Sequence, residues 1–409
     1  MINLKKIAKK AIVFSSGNIL NIAIGIGSFP ILSKFYSPAE FGYYSLSIYT
    51  VGIIATIATL RLDLALSSTK EENEAIKILT TAAILPIIFG LITSIAIWSI
   101  SEQNRFITSL LFPFFYIFNY CCLTIFTAWF VRSNRFWLAG NLNLIYASSI
   151  ILFQVVLANS QEGNGLFLGN IIGGLLTLII CAMNDRRIRP SKILKEFKLA
   201  AGIEVIKQNK IFLGGNTLQS LINSSSLAIL SHGISIIGGL SAVGSFSTCQ
   251  KILAIPVRVI GNAMRQSLLQ GLADLPNKVG RNIAIKATIA LIPVSLLSFL
   301  FLTISLPIAV NKLMAPEWRG INEYIAPLSI WLSMTVIYTP AIAWLNVQKI
   351  TGPHLLYEII NLIVRVTLIP ISIVLTLNSA NYVWITSTVS CILGIALCTI
   401  SFFENKPSK

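Results

Sequence analysis

The chain has 409 residues, of which 55% are hydrophobic and only 11% are charged. Soluble domains carry about 25% charged residues, so this composition excludes a soluble globular protein. The formal net charge of +16 would suit nucleic-acid binding, but membrane proteins retain basic residues on the cytoplasmic side. We therefore expect a membrane protein with basic cytoplasmic connections and no nucleic-acid partner.

The apolar residues fall into blocks of about 20, the length of a helix that crosses a bilayer. A transmembrane barrel would instead show segments of about 10 residues with alternating polarity. The pattern predicts an all-α polytopic membrane protein with about 12 transmembrane helices. The predicted spans are 11–33, 42–66, 78–100, 107–130, 137–158, 164–183, 211–231, 240–262, 284–308, 322–346, 353–376 and 380–403.

The longest polar connection separates the first six spans from the last six. It predicts an N-terminal six-helix lobe over 1–183, a basic cytoplasmic linker over 184–210 and a C-terminal six-helix lobe over 211–409. Within the linker, Ile193 to Ile206 could form an amphipathic helix on the anionic inner leaflet. A plain connection with retention charges is the equally weighted alternative.

Lysine and arginine concentrate in alternate connections, which predicts a multi-pass protein with both termini in the cytoplasm. The N-terminal apolar segment is too long for the core of a signal peptide, so it is interpreted as an uncleaved first span. The opposite connections contain only four basic residues, Lys34, Arg105, Lys312 and Arg319.

Two short phrases recur in the second half of the chain. The phrase FSSGNIL begins at Phe14, and FLGGNTL begins 198 positions later at Phe212. Likewise FGYYS begins at Phe41 and VGSFS begins 202 positions later at Val243. Two matches in the same order predict a parallel repeat, with pseudo-two-fold symmetry about the membrane normal. Transporters with such repeats bind substrate at the interface of the repeats.

Charged side chains inside a span are costly, and they usually face a cavity or a partner. Lys251 and Arg258 lie seven residues apart in the eighth span, and so do Glu358 and Arg365 in the eleventh. The three cations Lys251, Arg258 and Arg365 would line a cleft that suits an anionic, hydroxyl-rich ligand. Amides such as Asn18 and Asn216 would line the same cleft.

A different interpretation treats the same groups as contacts between helices. Glu358 would then pair with Arg258 or Arg365, and the amides would join neighbouring helices. Arg61 and Asp63, at the inner end of the second span, could likewise form only an interfacial salt bridge. Both interpretations are open at this point.

The six cysteines lie in apolar runs and form no metal-binding motif, so we expect neither a metal nor a cofactor. The phosphate-binding loop of ATPases is missing. The predicted outer connections are too short for a catalytic domain, so we expect no enzymatic activity.

The phrases Ser37-Pro-Ala-Glu-Phe-Gly-Tyr-Tyr44 and Leu60-Arg-Leu-Asp-Leu-Ala65, with the twelve-span layout, resemble the Wzx-type polysaccharide flippases. These belong to the multidrug/oligosaccharidyl-lipid/polysaccharide exporter superfamily. The resemblance implies two six-helix lobes that alternate between inward-open and outward-open states. It also implies an undecaprenyl-diphosphate-linked oligosaccharide as cargo, an O-antigen or capsule repeat unit. This cargo would move from the inner to the outer leaflet of the bacterial cytoplasmic membrane during polysaccharide biosynthesis.

The resemblance further implies basic residues that bind the diphosphate or acidic sugars, for which Arg61, Lys251, Arg258 and Arg365 are the candidates. Coupling to a proton or sodium gradient would involve Asp63 or Glu358, as coupling site or gate. The expected partners are the lipid-linked oligosaccharide, membrane lipids and other polysaccharide assembly proteins. The alternatives are a multidrug exporter of the same superfamily, which would favour an acidic cleft, and a membrane glycan polymerase or ligase.

Overall fold

The computed structural model describes residues 24–25, 27–69, 71–101, 106–159, 164–209, 217–272, 276–348, 350 and 352–403. These residues form helices and connections and contain no strand, which confirms the all-α prediction. Ten helices among them are long and apolar enough to cross a membrane. The predicted first span falls largely outside the described residues, and the predicted seventh and eighth spans form one broken helix.

The chain divides into two compact units. The first unit combines residues up to Tyr36 with Leu46–Ser225, and the second combines Ser37–Ser45 with the residues from Ser226 onwards. Lobe boundaries at 183 and 211 stay a prediction. The helices that follow one another through the first unit are α1 (Pro38–Ala58, shared with the second unit), α2 (Leu62–Ser68), α3 (Glu72–Ile100), α4 (Phe112–Arg132), α5 (Phe136–Val156), α6 (Asn164–Asn184), α7 (Pro190–Glu196) and α8 (Leu199–Gln208).

A capping box fixes the start of α1. The backbone N–H and the hydroxyl of Ser37 both donate to Glu40 Oε2, over 2.8 and 2.9 Å. The Glu40 N–H donates in return to Ser37 Oγ over 3.3 Å. This arrangement satisfies donors that a helix start leaves unpaired, and Pro38 fits the first helical position because it has no N–H. The helix therefore begins at Pro38, four residues before the predicted start of the span at 42.

The predicted second span, 42–66, is wrong as one continuous helix. Leu60 and Arg61 have φ values of 50° and 55°, so the backbone turns left-handed between α1 and α2. Tight turns close the break, with the Leu60 N–H bound to the Ile57 carbonyl and the Leu62 N–H to the Thr59 carbonyl. Leu62 is fully buried in the core of the first unit. Burial of a leucine side chain contributes about 1.5–3 kcal/mol, which offsets part of the cost of about 1–3 kcal/mol for each of the two strained residues.

The linker forms two short helices in place of a single amphipathic helix over Ile193 to Ile206. Phe197 and Lys198 have extended backbone conformations and separate α7 from α8. Each helix buries one side chain in the core of the first unit, Ile193 in α7 and Val205 in α8. Leu194 of α7 stays exposed.

The second unit contains a helix with a sharp break at one glycine. Gly239 has φ 75° and ψ −177°, a combination that only glycine adopts readily. The break replaces the loop predicted between the seventh and eighth spans. The helices of this unit are α9 (Thr217–Pro256, its first residues belonging to the first unit), α10 (Asn262–Leu272), α11 (Asn277–Leu313), α12 (Asn322–Ile337), α13 (Thr339–Val347), α14 (Gly352–Val374) and α15 (Ser379–Phe403).

We predict that Gly239→Ala destabilises the chain by about 1–3 kcal/mol, because alanine would be strained at this φ and ψ. The measurement is the thermal unfolding midpoint of the purified protein in detergent. Gly271→Ala is the matched control, because Gly271 lies within α10 and a Cβ there meets nothing within 4 Å. Equal midpoints for the two variants would contradict the prediction.

Candidate functional site

Two glycines allow α1 and α9 to cross in close contact within the second unit. A Cβ at Gly42 would overlap the Leu240 carbonyl oxygen, and a Cβ at Gly244 would overlap the Pro38 carbonyl oxygen. Both pairs of positions, 42 with 244 and 38 with 240, are related by the 202-residue shift of the repeated phrase. The contact is therefore reciprocal, as a local two-fold axis requires. We call this contact the glycine crossing.

A pair of equivalent serines extends the glycine crossing by one turn. Ser247 Oγ donates to Ser45 Oγ over 2.9 Å, and the two residues are again 202 positions apart. Both serines are buried. The repeated phrase contained the signal for this contact, although on its own it predicted only the symmetry of the lobes.

Lys251 lies one turn beyond Ser247 on α9. Its Nζ is 4.9 Å from the centroid of the Phe41 ring, which is a cation–π distance. The Phe41 ring packs edge-on against Trp318, with 5.5 Å between the ring centroids. Both rings are buried and Lys251 is half-buried. One of the predicted substrate-binding cations is therefore positioned beside the glycine crossing.

A polar stripe runs along one face of α14. His354, Glu358, Asn361 and Arg365 follow one another at spacings of four, three and four residues, which places them on one side of a helix. The last three are buried, with Arg365 only 5% exposed. A stripe of this kind inside a membrane helix is costly, and such residues commonly serve a function.

The guanidinium of Arg365 makes one hydrogen bond and one aromatic contact. Its Nη1 donates to Ser226 Oγ over 2.7 Å, and its Cζ lies 4.8 Å from the centroid of the Trp331 ring. Within the described part of the chain, Arg365 Nε has no hydrogen-bond partner and no salt bridge reaches this side chain. The charge is therefore only partly compensated.

Glu358 does not form the predicted ion pair with Arg365, and the alternative pair with Arg258 stays a prediction because that side chain lies outside the described residues. Glu358 Oε1 lies 3.6 Å from His354 Nε2, one turn earlier on α14. The next residue of the stripe, Asn361, accepts a 2.6 Å hydrogen bond from Ser390 and donates to the Tyr357 carbonyl over 3.0 Å. These bonds fix the orientation of the Asn361 side chain.

Arg61 and Asp63 lie in the first unit, on either side of the start of α2. Arg61 Nε and Asp63 Oδ1 are buried atoms without a hydrogen-bond partner in the described structure. No salt bridge between the two residues occurs there, so the predicted interfacial ion pair is not formed. Roles in cargo binding or gating stay predictions.

The candidate residues thus fall into three places. Lys251 lies at the glycine crossing, Glu358 and Arg365 lie on the α14 stripe, and Arg61 and Asp63 lie beside the α2 start. Asn18 and Asn216 are outside the described residues, and so is the side chain of Arg258. No group of three or more potential metal ligands occurs in the described ranges.

Comparison with solved structures defines the fold as that of the MOP superfamily transporters. A MATE family multidrug resistance transporter in an inward-facing conformation matches with a TM-score of 0.69 and 14% identity, over 97% of this chain and all of that one. The lipid II flippase MurJ in an inward closed conformation matches with a TM-score of 0.70 and 14% identity, over 95% of this chain and 87% of that one.

A MOP superfamily transporter from Pyrococcus furiosus, for which a binding pocket of reverse polarity is described, matches with a TM-score of 0.60 and 14% identity. The match covers 96% of this chain and 93% of that one. No family model matches the sequence, and no curated protein does. The comparisons therefore support the fold and leave the cargo to be inferred from this chain's own residues.

We predict that Ser45→Cys and Ser247→Cys together form a disulfide, because their side chains already meet. Adding Gly42→Ala should lower the yield of this disulfide, since the new Cβ would push α1 away from α9. Gly52→Ala on the same helix is the control, because the nearest atom to its Cβ is Tyr116 Oη at 4.0 Å.

The yield is read by mass spectrometry of disulfide-linked peptides, which also separates the new bond from the native cysteines. If neither Gly42→Ala nor Gly52→Ala changed the yield of the disulfide, the result would contradict close packing at the glycine crossing.

Proposed function

We propose that the chain is a flippase that moves an undecaprenyl-diphosphate-linked oligosaccharide across the bacterial cytoplasmic membrane. The observation that carries the proposal is Arg365, a buried guanidinium inside a membrane helix that forms no salt bridge with a carboxylate among the described residues. An exporter of cationic compounds would gain nothing from such a charge, whereas an anionic head group would be attracted to it.

Lys251 is the residue proposed to contact the diphosphate. It is more accessible than Arg365, and its flexible stem allows Nζ to leave the Phe41 ring for a phosphate oxygen. Arg365 would act from deeper in the second unit by raising the local positive potential. Asn18 and Asn216 are proposed to meet sugar hydroxyls, and Arg61 and Arg258 are further candidate cations.

The glycine crossing is proposed to open and close during transport. At the crossing itself, serine hydroxyls and glycine backbones meet without the interlocking of large side chains, a contact that can open and form again. Energy would come from an ion gradient, with Glu358 or Asp63 as the coupling group.

The second candidate is a multidrug exporter, which the similarity to a MATE family transporter supports. Lipid analysis of a strain that lacks the protein distinguishes the candidates. Accumulation of a lipid-linked repeat unit on the cytoplasmic leaflet supports the flippase, and drug sensitivity without accumulation supports the exporter. Accumulation of single unpolymerised units on the outer face would support a polymerase or ligase.

We predict that Lys251→Met lowers the flipping rate about tenfold or more, the effect of losing a charge-assisted hydrogen bond of about 1.5–3 kcal/mol. Methionine keeps the apolar contact with Phe41. The assay follows undecaprenyl-diphosphate oligosaccharide with a fluorescent sugar in vesicles, where an impermeant reductant quenches only the outer leaflet. Lys286→Met removes an exposed cation from α11 and is the control.

A normal rate for Lys251→Met would overturn the assignment of Lys251 to the head group. A loss that occurs equally in Lys286→Met would point to net charge rather than to a binding site.

We also predict that oxidation of the Ser45→Cys, Ser247→Cys variant stops flipping and that a thiol reductant restores it, because the disulfide would hold the glycine crossing closed. The same vesicle assay measures both steps. Each single cysteine variant, oxidised in parallel, is the control. Full transport by the cross-linked protein would show that the crossing is static.

A further inference from the structure

The first unit contains an apolar pocket that the proposed transport site does not use. Its volume is about 630 Å³, within the range of about 300–1,000 Å³ that is usual for ligand sites. Its walls come from α3, α4 and α6, with side chains such as Ala83, Phe118 and Leu178. The turn Arg186–Ile188 and α7 of the linker close one end.

The pocket has apolar side chains at its edge that a soluble protein would bury. Ile179, Met183 and Leu194 line it and are between 57% and 74% exposed. Ile179 and Met183 belong to α6, which is long and apolar enough to span a membrane, so these two side chains would contact hydrocarbon. The pocket is therefore accessible to a ligand from the bilayer.

One cation lies at the linker end of the pocket. Arg189 is the only charged side chain among the described residues that line it, and Ser191 adds a hydroxyl. Arg189 Nε donates to the Ala182 carbonyl over 3.2 Å, which orients the guanidinium. No salt bridge to Arg189 occurs in the described ranges. Nearby cations are engaged, since Arg187 pairs with Glu72 and Lys192 lies 3.3 Å from Glu196.

We propose that this pocket binds one acyl chain of an anionic phospholipid, with the lipid phosphate held by Arg189. An apolar cavity with a single uncompensated guanidinium at its end complements an amphipathic ligand with one negative charge. The predicted topology places the linker, and with it the phosphate, at the inner leaflet.

The charge favours a phospholipid over the prenyl chain of a lipid-linked diphosphate. A phosphodiester carries one negative charge, which one guanidinium neutralises, whereas a diphosphate would leave excess charge beside an apolar wall. A bound phospholipid would contact α7 and the transmembrane helices together, and so would hold the linker against the first unit. This inference does not depend on the cargo that the chain transports.

The test uses the full chain in phosphatidylcholine vesicles that contain a trace of phosphatidylglycerol with a photoreactive acyl chain. After irradiation, mass spectrometry should locate the label on the pocket faces of α4 and α6. Unlabelled phosphatidylglycerol should compete for labelling, whereas the excess phosphatidylcholine does not. Arg189→Gln should lower labelling about fivefold, the effect of removing one cation near a lipid phosphate.

Arg186→Gln is the matched control, because Arg186 is exposed on the same turn and does not line the pocket. Ala83→Phe should also lower labelling by filling the pocket, with the thermal midpoint checked in parallel. The proposal would be overturned if labelling stayed the same both in Arg189→Gln and in the presence of unlabelled phosphatidylglycerol. Undecaprenyl diphosphate that displaces the label at lower concentration than phosphatidylglycerol would also overturn it, in favour of a prenyl site.

Discussion

The glycine crossing is the contact on which the candidate transport site depends. Without a Cβ at Gly42 or Gly244, a carbonyl oxygen of each helix can lie against the Cα of the other. This approach brings the hydroxyls of Ser45 and Ser247 within hydrogen-bond distance and places Phe41 below the Lys251 ammonium. The two-fold relation makes glycine necessary at both positions, because a larger side chain at either one would disturb both reciprocal contacts.

The buried polar groups of the second unit show how a membrane helix accommodates charge. Arg365 is stabilised by the Ser226 hydroxyl and the face of Trp331, two partners that reduce the cost of burial without cancelling the charge. A carboxylate at hydrogen-bond distance would have cancelled it and removed its effect on an anion. Glu358 lies instead beside His354, and no salt bridge joins it to Arg365 in the described part of the chain.

Composition and periodicity were sufficient to predict the all-α membrane fold, because the cost of unsatisfied backbone in lipid leaves few alternatives. The same signals could not predict the break at Leu60 and Arg61. No glycine or proline marks it, and the burial of Leu62 that accompanies it depends on contacts distant in sequence. The contact between Gly42 and Gly244 was equally hidden, since a single glycine in a membrane helix is common. Only the matching phrase at both positions carried the information.

The position of Lys251 suggests how cargo and the glycine crossing would be linked under the proposed function. A cation–π contact with Phe41 contributes about 0.5–2 kcal/mol, whereas a charge-assisted hydrogen bond to phosphate contributes about 1.5–3 kcal/mol. A diphosphate would therefore draw Nζ away from the ring and weaken the hold of α9 on the segment that contains Phe41. By reciprocity, opening of that segment would raise the affinity of Lys251 for the phosphate, so binding and opening favour each other.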